Sequence, residues 1–213
     1  YGDNYRHIRI LEAGHPVPDE NSVDAAKAIL ECVQGLGPDD MVLALISGGG
    51  SAAMCLPAPG VSLADKQATN RLLLASGLDI RTMNAVRRRI SAIKGGQLAA
   101  AAAPARVFTL AISDIPGDDA RAIASGPTAP DPDAALDLTN IVDSLGPDLP
   151  DSVRHILLHP AKKQAPGNAA PIVLIATPAL ALAAAAAKAR SLGLEPVVQG
   201  DALEGESKDL AYS

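Results

Sequence analysis

A chain of 213 residues, 48% hydrophobic and 20% charged, is long enough for one large α/β domain or two small ones and too apolar for a disordered segment. A net charge of −6, an aromatic content of 2% and no Trp argue against nucleic-acid binding, which needs a basic surplus and stacking platforms. The two cysteines, Cys32 and Cys55, make neither a disulfide framework nor a metal-ligand spacing and fit a reducing cytoplasm.

The first element of interest is the loop "AGHPVPDE", which carries His15 and Asp19 as lesser candidates. Residues 22–35 then place Val23, Ala26, Ile29, Leu30 and Val33 on one helical face, with Ser22 as N-cap and Gly35 as stop. "MVLALI", 41–46, is a continuous apolar strand of the kind buried on both faces of a sheet. It runs into Ser47, Gly48, Gly49, Gly50 and Ser51. A helix over 62–76 follows, capped by Ser62, and then a polar helical stretch over 80–103 broken at Gly95-Gly96. "RVFTLAI", 106–112, is a second buried strand that ends in the acidic loop "SDIPGDD". A helix near 133–145 and a plain segment over 147–169 lead to a third strand, "PIVLIA". An alanine-rich helix begins after Pro178, and "EPVVQ", 195–199, reads as a fourth short strand. The apolar run 171–187 is broken by Pro178 and reads as strand plus helix, not as a membrane span. Both cysteines fall on apolar-patterned positions and are expected to be buried.

Strands alternating with helices give an α/β fold: a mostly parallel sheet with helices on both faces. In such sheets ligands bind beyond the carboxyl ends of the strands, where both unusual loops lie. The glycine loop offers main-chain N–H groups without Cβ obstruction, which suits phosphate or carboxylate; a bare strand-to-helix turn would use glycine as well. It is neither a GxxxxGK[ST] loop nor a GxGxxG turn. In the second loop Asp114, Asp118 and Asp119 could hold Mg²⁺ or accept a proton from a hydroxyl, or could simply cap a turn. Arg87, Arg88, Arg89 and Lys94 form a basic cluster before Gly95-Gly96, suited to an anion, although a solvated helix face would also explain the arginines.

"EAGHPVPDE", "SGGGSA", "VRRRISAIKGGQLA", "SDIPGDDARAIASGPT" and "GDALEGES", in this order, resemble the class II glycerate kinase family, some of whose members carry the older name hydroxypyruvate reductase. The resemblance implies ATP- and Mg²⁺-dependent phosphorylation of D-glycerate to 2-phosphoglycerate, in a Rossmann-like domain facing a second domain across a cleft. It places Ser47, Gly48, Gly49, Gly50 and Ser51 at the phosphates and Lys94 and Asp114 in catalysis. Asp114 and Asp118 are the candidates for the metal, and His15, Asp19, Arg87 and Ser113 those for the substrate. Arg89 stands where the family commonly has histidine. Residues 1–200 match most of the N-terminal domain and 201–213 the start of a connection to a C-terminal domain. The chain opens on Tyr1 and closes within an apparent helix, so a piece of a longer protein is expected, inactive alone and exposing apolar faces. A cytoplasmic enzyme with a small-molecule substrate follows, with no nucleic acid, no membrane, and the oligomeric state open, a homodimer among the options. The rival readings are an NAD(P)H-dependent reductase and a non-catalytic phosphate- or sugar-acid-binding domain.

Overall fold

The structure, a computed structural model, describes residues 6–160, 167–201 and 203. Helix α1 (Glu20–Val33) begins two residues earlier than its apolar face requires, because Asp19 and not Ser22 is the N-cap. The Asp19 carboxylate accepts from the Ser22 main-chain N–H, and the Ser22 hydroxyl accepts from that of Asp19, a reciprocal capping box. Cys32 lies on the outer side of this helix and is exposed, against expectation; Cys55 is buried.

Strands β1 (Met41–Ile46), β2 (Arg106–Ile112) and β3 (Val173–Ala176) form a parallel sheet in the order β1-β2-β3. Met41 lies opposite Arg106 and Leu110 opposite Val173, with an irregularity between Ala111 and Ile112. Residues 195–199 form no strand: Val197 and Val198 are exposed, and Pro196 has no N–H to give a ladder. The stretch 80–103 divides into α4 (Ile80–Arg89) and α5 (Gln97–Ala101), and α3 (Leu63–Ala75) starts at its Ser62 cap as the sequence predicts. The helix expected over 133–145 is confined to α6 (Thr139–Leu145), since the residues before it are engaged by arginines of α4. The plain segment is not plain: α7 (Asp151–Leu158) buries Val153 and Leu157. After Thr177, which caps it, α8 (Pro178–Ser191) completes the strand-plus-helix reading of 171–187. No described helix is long and apolar enough to cross a membrane. Residues 202 and 204–213, with most of "GDALEGES" and the connection assigned to 201–213, lie outside the described residues.

Two apolar cores result. One joins α3, α4, α6 and α7 through Leu73, Val86, Val142 and Val153. The other packs α1 and α5 on one sheet face through Ala26, Leu98 and Val107. The opposite face is exposed along Leu43, Leu45, Phe108, Val173 and Ile175, with Leu45 at 69%. Two-sided burial of the strands is thus met on one face only among the described residues. The seam between the two cores, at the carboxyl end of β1, is where the candidate site forms.

Candidate active site

β1 delivers the chain into the glycine loop, which turns at once into the short helix α2 (Gly50–Ala53). Three different contacts require the three glycines. A Cβ on Gly48 would collide with the Asp114 carboxylate, so this glycine lets the acidic loop lie directly on the first one. Gly49 has φ +80°, in the left-handed region, and faces the His15 ring at 3.4 Å from where its Cβ would be. Gly50 lets α2 approach Ala124 to 3.1 Å, again measured from an added Cβ. The sequence pointed to the phosphate loop through its glycines; the structure ties each of them to a neighbouring segment of the protein. Ser47 is exposed at the mouth of the turn.

Lys94 reaches this loop from the far side of the seam. It is 4% exposed, and its Nζ donates to the Ser51 carbonyl at 2.6 Å and to Ser51 Oγ at 2.5 Å. Ser51 Oγ also meets Ser125 Oγ at 3.0 Å. The glycines after Lys94 are needed for the chain's path: Gly95 and Gly96 have φ +61° and +83° and donate to the carbonyls of Ser125 and Gly126. Burial, reinforced by the charge of Lys66, pulls the Lys94 amine down from 10.5 to about 7.

The arginine run divides three ways. Arg88 is buried and paired with Asp131 at 2.6 Å and Asp133 at 2.5 Å. Arg89, also buried, donates to the carbonyls of Ala134 and Leu136, both at 3.1 Å. Neither belongs to a solvated face, and neither reaches the cavity. Arg87 does, steadied by Asn70 at 3.1 Å and Asn84 at 3.2 Å.

The acidic loop brings Asp114 against the glycine loop. Asp118 has φ +53°, and its Oδ1 is buried without a hydrogen-bond partner. An orphaned carboxylate oxygen is the kind of group a cation satisfies, so this loop suits Mg²⁺. Among the described residues no three His, Cys, Asp or Glu side chains gather in a group that could hold a metal ion. Asp119 is engaged by Arg121 through two bonds of 2.8 and 2.9 Å and serves the turn. Ser113 is buried and extends the sheet through its N–H to Ala176 O, and Asp19 caps α1 while accepting from Gly14 N; neither lines the cavity.

That cavity, of about 410 Å³, joins the glycine loop (Gly49, Ser51), the loop carrying His15, and one face of α3. Gln67 closes its edge by donating to the Pro18 carbonyl at 2.7 Å. Among the described residues its cationic lining consists of Lys66, Arg71, Arg87 and Lys94, with His15 beside them, and no described Asp or Glu, Asp114 and Asp118 included, lines it. Sequence reasoning passed over Lys66, Gln67, Asn70, Arg71 and Ser125. Lys66, Asn70 and Leu74 recur every four residues on α3, a signal open to inspection, but a lysine on an amphipathic helix ordinarily faces water. Here it is 3% exposed, donates to Ile90 O at 3.0 Å, and is lowered by burial to about 8.

Residues 1–158 match a family described as a domain of unknown function, DUF4147. The glycerate 2-kinase of Pyrococcus horikoshii is 41% identical over 98% of this chain and 49% of its own length. A protein of Agrobacterium vitis provisionally named hydroxypyruvate reductase is 53% identical over 95% of this chain and 47% of its own length. The crystal structure of the Thermotoga maritima glycerate kinase superposes with a TM-score of 0.80 at 38% identity, over 90% of this chain and 46% of that one. The chain thus spans about half the length of these relatives. With a family match over residues 1–158, the chain belongs to the DUF4147 family, and it shares sequence and fold with relatives named glycerate kinase.

Proposed function

We propose that the intact protein transfers the γ-phosphoryl group of ATP to a hydroxyl of D-glycerate, giving 2-phosphoglycerate and ADP in the cytoplasm. The observation that carries this is a cationic cavity, lined by no Asp or Glu among the described residues, beside a glycine loop on which Asp114 rests. In a chain of net charge −6, such a lining selects a small anion. Arg87 and Lys94 hold the acid's negative charge and fix its orientation. Asp114 rests on the glycine loop without lining the cavity, so the hydroxyl end of the acid extends past Gly49 to reach it. The hydroxyl gives its proton to the Asp114 carboxylate, and its oxygen bonds to phosphorus as the bond to the ADP oxygen breaks. Main-chain N–H groups of Ser47–Ser51 line the phosphates as the loop turns into α2. Asp114 and Asp118 would hold Mg²⁺, which when bound neutralises phosphate charge.

The name carried by the Agrobacterium vitis relative keeps a reductase in contention. The glycine loop gives that reading no GxGxxG turn for a dinucleotide. Two coupled assays on the intact protein separate them. We expect ADP formation with D-glycerate, ATP and Mg²⁺, abolished by chelation. NADH oxidation with hydroxypyruvate and no ADP formation would overturn the kinase reading.

A further inference from the structure

Lys66 and Lys94 sink into the same cavity, at 3% and 4% exposure, from different elements. A buried ammonium is ordinarily paired with a carboxylate, and neither of these is. Lys66 donates to a main-chain carbonyl, and Lys94 to the carbonyl and hydroxyl of Ser51. Among the described residues the other titratable groups facing the cavity are His15 from the loop before α1, Cys55 after α2, Arg71 on α3 and Arg87 on α4. Of these only Cys55 can become negative. Two like charges in one buried space need an incoming anion, or one of them must give up its proton.

We infer that Lys66 and Lys94 form one subsite for a carboxylate or phosphate oxyanion, and that the anion enters together with a proton. The inference rests on the kinase reading only for the source of the anion, the acid substrate or a phosphate group. Burial holds Lys66 to about 8 and Lys94 to about 7, so at pH 8 the empty cavity carries fewer than two ammonium charges. An oxyanion between the amines favours their charged forms, and the missing proton is drawn from solvent as it binds. Ligands therefore bind more weakly as pH rises through this range.

The test is calorimetric titration of sulfate, which does not itself titrate, into the intact protein at pH 8 in buffers of different ionisation enthalpy. We expect uptake of about one proton per sulfate. Lys66→Met should weaken sulfate binding tenfold or more and cut the proton uptake by about a third, without lowering Tm. Lys66→Gln gives the same comparison if the Met variant does not fold. Displacement of sulfate by D-glycerate assigns the subsite to a carboxylate, and displacement by ATP assigns it to phosphate. Sulfate binding without proton uptake would overturn the proposal, as would a Lys66 variant with unchanged affinity and uptake but a lower Tm. Proton-linked sulfate binding in a protein that forms no ADP would leave the subsite standing and remove the kinase reading instead.

Discussion

Replacing Lys94 by methionine keeps the length of the side chain and removes its titration. In the fold this amine is held down to about 7 by burial and the nearby Lys66 charge, and unfolding returns it to 10.5. Above pH 7 the unfolded chain therefore binds more protons than the native one, so stability rises with pH until the unfolded value is reached. The proton difference grows from about one half at pH 7 to nearly one at pH 9, which at ~1.4 kcal/mol per pH unit amounts to about 2 kcal/mol. Lys94→Met lacks this dependence. The difference in stability between parent and variant should accordingly move by about 2 kcal/mol in the parent's favour from pH 7 to pH 9, or about 4–8 °C in Tm for a domain of this size. At pH 7 the variant should be the more stable of the two, since it no longer buries an amine that prefers charge, and it should have lost ADP formation. Thermal unfolding of both proteins across this pH range gives the measurement. A gap that stays constant from pH 7 to pH 9 would show that Lys94 titrates normally in the fold and would refute the reasoning.

Asp114→Asn should lower kcat by about 10² or more with little change in Tm, as expected for a lost general base; near-normal turnover would reassign the loop to a turn. Gly48→Ala puts a Cβ where the Asp114 carboxylate lies, so it should reproduce that loss of turnover although no charge is removed. Retained activity in Gly48→Ala would show that Asp114 need not rest on the loop. Arg88→Ala strands the buried Asp131 carboxylate and leaves Asp133 to Arg81 alone, and should cost about 3 kcal/mol in denaturant unfolding. Arg87→Ala, one residue earlier, should instead raise KM for glycerate with a smaller effect on stability, and equal stability losses in the two variants would undo the division of the arginine run.

The sequence by itself determined the alternation of strands and helices, the parallel sheet, and the two loops at the carboxyl ends of β1 and β2. Apolar periodicity and turn chemistry are local, and they survive whatever the chain later packs against. It also determined that glycines crowd one turn and that Lys94 precedes a glycine pair. It could not say what the glycines make room for. Gly48 answers to Asp114, 66 positions along the chain by the numbering, and no local pattern encodes that approach. Nor could it sort Arg87, Arg88 and Arg89. Three adjacent cations on a helix point in three directions, and the partners that bury two of them, Asp133 and the carbonyl of Leu136, come from a segment that itself reads as a helix start. The same holds for α7, whose apolar face has meaning only against α3, α4 and α6. Lys66 is the sharpest case. On α3 alone it belongs to a polar stripe facing water; only the closing of two cores around the seam removes that water and turns a surface lysine into half of a buried cationic pair. Burial is a property of what surrounds a residue, so the charge state of this cavity was decided by the tertiary structure.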